Sequence, residues 1–149
     1  MTGKATGMTM PQPDQVDRLI REALAARERA YSPYSRFRVG AAILDEAGEI
    51  FVGCNVENAS YSLTLCAERV AAVTAIAAGS VRWRMIAVAA EGGATPCGAC
   101  RQFLAEFQAD LAVIVVDAAT GLWSNHSLRE LLPAAFGKGS LGVSQPQSD

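Results

Sequence analysis

The chain has 149 residues, of which 50% are hydrophobic and 19% are charged. This length and composition suit one domain with its own core and exclude a chain that is mostly disordered. A net charge of -2 argues against a protein that grips the nucleic-acid backbone, because such binding needs clustered cations. No apolar run approaches the roughly 20 residues that cross a bilayer, and the N-terminus lacks the apolar segment of a secretory signal. We expect a single cytoplasmic domain with no membrane segment.

The first half of the chain predicts a helix, a hairpin and a second helix. From Asp14 onward, apolar residues recur at helical spacing, which predicts an amphipathic helix with Asp14 as its N-cap that ends near Ala30. Two strands joined by a turn that contains glycine follow over residues 37–44 and 49–55. After a loop, an alanine-rich run predicts a buried helix over residues 65–78.

The second half alternates apolar strands with helices. The predicted elements are a strand over 85–90, a helix over 98–109, a strand over 111–117 and a short helix over 127–132. An early hairpin followed by strands that helices separate predicts a mixed sheet covered on both faces. We therefore predict an α/β fold over residues 14–137, a three-layer α/β/α domain with a mixed, about five-stranded sheet. Residues 1–13 are predicted to be a disordered tail, and residues 138–149 a loose one.

Two short motifs carry the chemistry. Cys66-Ala-Glu68 is followed, about thirty residues on, by Pro96-Cys-Gly-Ala-Cys100, and both motifs stand where a loop becomes a helix. A helix N-terminus favours the thiolates that metals bind. Three thiolates leave the fourth zinc position open for water, and Glu68 would lie close enough to take its proton. Taken alone, C-x-x-C is a weak signal that also suits a redox pair or two buried cysteines. Together the motifs match the zinc deaminase signature, with cysteine in place of histidine.

The chain resembles the small homotetrameric cytidine deaminases from its first helix to Phe136. The matching segments are Ser32-Pro-Tyr-Ser-Arg-Phe37, Val39-Gly-Ala-Ala42, Gly53-Cys-Asn-Val-Glu-Asn58, Cys66-Ala-Glu-Arg69, Pro96-Cys-Gly-Ala-Cys-Arg-Gln102 and Leu131-Leu-Pro-Ala-Ala-Phe136. The resemblance implies one zinc ion per subunit, held by Cys66, Cys97 and Cys100, with Glu68 as the proton shuttle. It also implies a substrate site shared between subunits.

The residues that the resemblance assigns to the nucleoside come from several segments. Asn55 and Glu57 would hold the ribose 3′-hydroxyl, and Phe37 would lie against the pyrimidine. Ala67 belongs to the same substrate site, and Phe136 would reach into the site of a neighbouring subunit. The substrate is thus expected to be a small pyrimidine nucleoside rather than a nucleic-acid polymer.

Some of these side chains have simpler interpretations when they are considered alone. Arg69 suits either hydrogen bonds to the zinc-bound sulfurs or a surface ion pair. Phe37 suits a hydrophobic core, and Asn55–Asn58 suits a polar strand exit. Cys54 is expected to be a small buried or half-buried hydrophobic side chain rather than a fourth ligand. His126 is expected on the surface of a polar turn.

The expected activity is hydrolytic deamination of cytidine and deoxycytidine to uridine and deoxyuridine, with release of ammonia, in pyrimidine salvage. A blasticidin S deaminase-like aminohydrolase is an alternative, because it resembles this chain in both cysteine motifs. Arg69 and the ending at Phe136 favour the nucleoside enzymes. A non-catalytic zinc protein on the same fold is a further alternative, against which Glu68 argues. A polynucleotide-editing deaminase would need a basic, aromatic groove that the acidic balance does not offer.

Overall fold

The structure is a computed structural model that describes residues 11–143. All the helices and strands predicted above are present, and one further strand joins them. The elements are α1 Pro13–Arg27, β1 Val39–Asp45, β2 Ile50–Cys54, α2 Ala67–Ala77, β3 Trp83–Ala90, α3 Gly98–Ala105, β4 Ala112–Asp117, β5 Trp123–Ser127 and α4 Leu128–Leu131. Two short 3-10 helices occupy Tyr61–Leu63 and Lys138–Leu141. Within the described residues, no helix is both long and apolar enough to cross a membrane.

The five strands form one mixed sheet in the order β2-β1-β3-β4-β5. β1 is antiparallel to both of its neighbours, β3 and β4 are parallel, and β5 is antiparallel to β4. Because β2 and β3 both run opposite to β1, they run in the same direction and end at the same edge of the sheet. α2 follows β2 and α3 follows β3, so both helices begin at that edge.

The sheet is buried on both faces, which confirms the predicted three-layer α/β/α arrangement. Side chains alternate between the faces along each strand. One face packs on α1, and its core includes Leu19, Ala23, Ala42, Leu44, Met85 and Ile114. The opposite face packs on α2 and α3, and its core includes Ile43, Ala71, Ala75, Ile86, Leu104 and Val113.

Two glycines let the helices lie unusually close to the sheet. A Cβ atom added at Gly53 of β2 would stand 2.3 Å from the backbone nitrogen of Ala71 in α2. A Cβ atom added at Gly40 of β1 would stand 2.1 Å from the carbonyl oxygen of Ala23 in α1. The contact at Gly53 sets the depth of α2, the helix that begins just after Cys66.

The ends of α1 differ from the prediction. Gln12, not Asp14, is the N-cap, because Pro13 occupies the first helical position and Asp14 lies within the first turn. The helix also ends at Arg27, before the predicted end near Ala30. Beyond it the backbone becomes extended, and Tyr31 hydrogen-bonds with the residues that follow β2. This pairing stops the helix earlier than Pro33 alone would.

The strand β5 lies where the sequence indicates only turn and loop. Its residues are polar or exposed and show no alternation of apolar side chains, so the pattern carries no strand signal. Backbone pairing with β4 forms this edge strand instead. His126 therefore lies in a strand rather than in a polar turn, half-buried, with its Nε2 atom 2.9 Å from Ser124 Oγ.

The predicted tails are described only in part. Residues 138–141, assigned to the C-terminal tail, form a 3-10 helix, and Lys138 Nζ lies 3.4 Å from the Glu106 carboxylate. Residues 1–10 and 144–149 lie outside the described residues.

Candidate active site

Three cysteine thiols converge where α2 and α3 begin. Cys66 is the N-cap of α2, Cys97 is the N-cap of α3, and Cys100 lies in the first turn of α3. Their sulfur atoms all lie within 4.8 Å of one another, and this group could hold a metal ion. The two helix starts direct partial positive charge at the thiols, which favours their anionic form.

The spacing and chemistry of this group fit zinc. Two sulfur ligands about 2.3 Å from a tetrahedral zinc ion lie roughly 3.8 Å apart. The sulfur atoms of Cys66 and Cys97 are 3.7 Å apart, close to that value and too far apart for a disulfide bond. Three thiolates leave one tetrahedral position for water. Cys54 is not a member of the group, and its half-buried sulfur lies 3.5 Å from the carbonyl oxygen of Arg29.

Hydrogen bonds polarise the thiols. A hydrogen bond with Cys100, supported by others from Arg69 and Cys97, lowers the pKa of Cys66 to about 5. The same hydrogen bond with Cys66, together with burial, raises the pKa of Cys100. Within this pair, these interactions favour the negative charge on Cys66.

The Arg69 guanidinium lies against the sulfur atoms. Its Nη2 atom is 3.7 Å from Cys66 Sγ, and no carboxylate within residues 11–143 forms an ion pair with it. Its Nε atom is buried and has no hydrogen-bond partner in that part of the chain. A buried donor without a partner beside thiolates fits a site in which three thiolates and one zinc ion would together carry a negative charge.

Glu68 is the buried acid of the site. It is the second residue of α2, and only 5% of its surface is exposed. Burial raises the pKa of its carboxyl group to about 7, and the charge of Cys66 acts in the same direction. A carboxyl group that titrates near neutrality can both take up and release a proton in the same reaction.

Asn55 ties the end of β2 to the segment before β1. Its Oδ1 accepts from the Val39 amide at 2.9 Å, and its Nδ2 donates to the Phe37 carbonyl at 2.8 Å. The side chain is 8% exposed. An amide side chain can make four hydrogen bonds, so one donor and one acceptor position remain. Asn55 therefore holds the backbone of Phe37 in place and still has capacity for a ligand.

Glu57 closes the same corner of the site. Its Oε1 accepts from the backbone amides of Tyr34 and Ser35 at 3.1 and 3.2 Å. Partial burial raises the pKa of this carboxyl group, but the hydrogen bonds from Ser35 and Tyr34 outweigh it and bring the pKa below its usual value. Glu57 is thus a carboxylate at neutral pH, an acceptor suited to a sugar hydroxyl.

The remaining predicted residues occupy different surroundings. Phe37 is 44% exposed and so is not part of the core, whereas Ala67 is fully buried between Cys66 and Glu68. Phe136 is 60% exposed and lines a cleft between α3 and α4 instead of the site of its own chain.

Comparison with known proteins agrees with this geometry. A family model described as the cytidine and deoxycytidylate deaminase zinc-binding region matches residues 13–116. The chain belongs to this family. The cytidine deaminase of Sporosarcina psychrophila is 45% identical over 134 residues, which cover 89% of this chain and 98% of the relative.

Solved structures of the deaminase family have the same fold. The cytidine deaminase of Burkholderia pseudomallei superimposes with a TM-score of 0.77 at 48% identity, covering 80% of this chain and 98% of that one. The Mycobacterium tuberculosis enzyme superimposes with a TM-score of 0.71 at 38% identity, covering 82% and 97%.

Within the deaminase family's motifs, some site contacts were not predicted from the sequence. The amides of Tyr34 and Ser35 carry no signal, because every residue type except proline offers a backbone N–H. Arg101 and Gln102 follow Cys100 directly, yet the sequence suggested no role for either. The signal that the sequence offered was their position directly after the second cysteine of the C-x-x-C motif, in a predicted helix.

Proposed function

We propose that this chain is a zinc-dependent cytidine deaminase that hydrolyses cytidine and deoxycytidine to uridine and deoxyuridine and releases ammonia. One observation carries the proposal: three sulfur atoms lie within 4.8 Å of one another, with a buried carboxyl group in the same helical turn as one of them. Bound zinc would supply the Lewis acidity that makes water a nucleophile near neutral pH. A purely structural zinc site needs neither the open position nor the acid.

Glu68 moves the protons of this reaction. It takes a proton from the attacking water and delivers it to N3 of the base, which makes C4 electrophilic. The water oxygen bonds to C4, and Glu68 then takes the remaining proton of the new C4 hydroxyl and passes it to the amino nitrogen. The C4–N bond breaks, and the nitrogen leaves as ammonia. Its 5% exposure keeps bulk water from competing for these protons. Arg69 offsets the negative charge of the thiolates through its contact with Cys66.

The substrate is held at the edge of the sheet where β1 begins and β2 ends. Glu57 and the free capacity of Asn55 bind the ribose 3′-hydroxyl, and the exposed ring of Phe37 lies against the pyrimidine. Ala67, between Cys66 and Glu68 in the chain, belongs to the same substrate site. Two hydrogen bonds support these roles: Asn55 donates to the Phe37 carbonyl and accepts from the Val39 amide, which fixes the sugar and base contacts relative to each other.

The enzyme works as a homotetramer in the cytoplasm, in pyrimidine salvage. The 60% exposure of Phe136 supports a ring that enters the site of a neighbouring subunit. Free thiols at all four cysteines suit a reducing compartment. Light scattering on the purified protein tests the assembly, and the mass of a single chain would contradict it.

The activity is tested by mixing the zinc-loaded protein with cytidine and following the loss of its ultraviolet band. We expect turnover of cytidine and deoxycytidine, no competition by single-stranded DNA, and much slower turnover of blasticidin S. Faster turnover of blasticidin S would favour the other aminohydrolase. If the protein binds zinc but turns over neither the nucleosides nor blasticidin S, it is a non-catalytic zinc-binding protein.

A further inference from the structure

Two adjacent side chains connect the metal-binding turn, residues 95–100, to the C-terminal segment, residues 131–136. Arg101 donates from Nε to the Pro96 carbonyl at 2.7 Å and from Nη1 to the Leu131 carbonyl at 2.8 Å. Gln102 donates from Nε2 to the Phe136 carbonyl at 2.9 Å. The two ends of the C-terminal segment are therefore both held by the residues that follow Cys100.

Arg101 is suited to hold two backbone segments at a fixed separation. Its guanidinium is planar and presents its donors in a rigid fork. A third bond runs from Nη2 to Thr95 Oγ1 at 3.0 Å. All its partners are neutral, and no carboxylate among residues 11–143 forms an ion pair with it. The charge therefore serves to strengthen hydrogen bonds to the backbone rather than to neutralise an acid.

The C-terminal segment needs such support. After α4 ends, Ala134 adopts a φ of 52°, in the left-handed region that side chains other than glycine disfavour. Strained backbone of this kind persists only where its surroundings hold it. Residues 133–136 are exposed, and within the described chain the Gln102 amide makes the only hydrogen bond to their backbone.

We propose that Arg101 and Gln102 are positioning residues that fasten the C-terminal segment to the metal-binding turn and so determine where the Phe136 ring stands. The inference rests on the proposed function, in which that ring completes a neighbouring substrate site. The two residues have separable effects. Gln102 acts on the ring alone, whereas Arg101 also supports the turn that carries Cys97.

The first test is Gln102→Glu, which keeps the side-chain length and replaces the donor with an acceptor facing a carbonyl. Loss of one hydrogen bond predicts a ~3–10-fold rise in KM for cytidine, with kcat and zinc content nearly unchanged. Gln108→Glu introduces the same charge further along the chain and should leave KM unchanged. In a Phe136→Ala background, Gln102→Glu should raise KM no further. Equal effects in both backgrounds would overturn the role of Gln102.

A second measurement does not depend on activity. Hydrogen exchange should be faster in Gln102→Glu than in the wild-type protein at the amides of Leu132 and Gly137, which donate to the Leu128 carbonyl and to Ser140 Oγ on either side of the exposed residues. Unchanged exchange together with unchanged KM would refute the proposal. If the wild-type protein turned over no cytidine, the proposed function would fail, while the exchange result would still decide whether the tether exists.

Arg101→Lys keeps the charge and loses the fork. We expect it to speed exchange in the same segment and to release zinc to a chelator at least about threefold faster than the wild-type protein, since support of a metal ligand is weakened. Gln102→Glu should release zinc at the wild-type rate. Equal zinc release from both variants would contradict the division of roles.

Discussion

A single methyl group at Gly53 should disturb the active site through the helix that carries it. The Cβ atom of Gly53→Ala would stand 2.3 Å from the Ala71 nitrogen and 2.7 Å from the Ala67 carbonyl oxygen, whereas ordinary contacts begin near 3.4 Å. Both neighbours are backbone atoms, so neither can rotate away. Relief of the closer contact requires α2 to move from β2 by the difference, about 1.1 Å, and Glu68 moves with it.

The size of this movement sets the expected loss. A misplacement of about 1 Å at a catalytic group can cost roughly 100-fold in rate, so kcat/KM for cytidine should fall by about that factor. Overpacking of this kind costs about 1–3 kcal/mol of stability. For a domain of this size, each kcal/mol lowers Tm by about 2–4 °C, which predicts a fall of roughly 2–12 °C.

Gly40→Ala provides the matched control. Its Cβ atom would stand 2.1 Å from the Ala23 carbonyl oxygen, an even closer approach, but it presses on α1 across the sheet from the site. We expect a comparable fall in Tm with kcat/KM within about tenfold of the wild type, measured on folded, zinc-loaded protein. The explanation through α2 is refuted if Gly53→Ala keeps wild-type kcat/KM, or if the two variants lose activity equally.

Further predictions concern the metal, the acid and one surface ion pair. Glu68→Gln should keep its zinc, measured by elemental analysis, and lose ~10²–10⁴-fold in kcat; turnover near the wild-type value would exclude the proton role. Arg69→Gln should lose about 10–100-fold in kcat with little change in Tm, and unchanged kcat would argue against its role in offsetting the thiolate charge. Removal of zinc by a chelator should abolish turnover and make the thiols of Cys66, Cys97 and Cys100 reactive. Added zinc should reverse both effects. Hydrogen bonding to Arg129 holds the pKa of Asp110 below its usual value. Asp110→Asn should therefore lower stability by at most about 1 kcal/mol above pH 4, and the difference should vanish as pH falls through the lowered pKa.

The fold was predictable where burial imposes a period on the sequence. α1 is amphipathic, and the central strands are buried on both faces, so both are recognisable in the sequence as patterns of apolar residues. β5 is exposed along most of its length and is made by pairing with β4, which sequence alone does not display. The N-cap of α1 was misassigned because Asp14 and Gln12 both lie near the helix start, and Pro13 decides between them.

The candidate site, like the fold, has parts that the sequence predicts and parts that it does not. Its ligands and acid were predictable because their chemistry resides in side-chain type, as with Cys66 and Glu68. The contacts that hold the site together depend instead on backbone groups, which no residue type reveals. The Asn55 bonds with the backbone of Phe37 and Val39 and the Gln102 bond to the Phe136 carbonyl are of this second kind.

The strand order explains why two motifs about thirty residues apart in sequence make one site. β1 separates β2 from β3, so the strands that lead to α2 and α3 stand two spacings apart, roughly 10 Å. Each helix start carries about half a positive charge, and two of them facing one point would repel each other. The thiols of Cys66, Cys97 and Cys100 fill that point with sulfur able to ionise. The arrangement that places the helix ends together is thus stabilised by the same anionic ligands that a zinc ion requires, so the fold and the metal site favour one another.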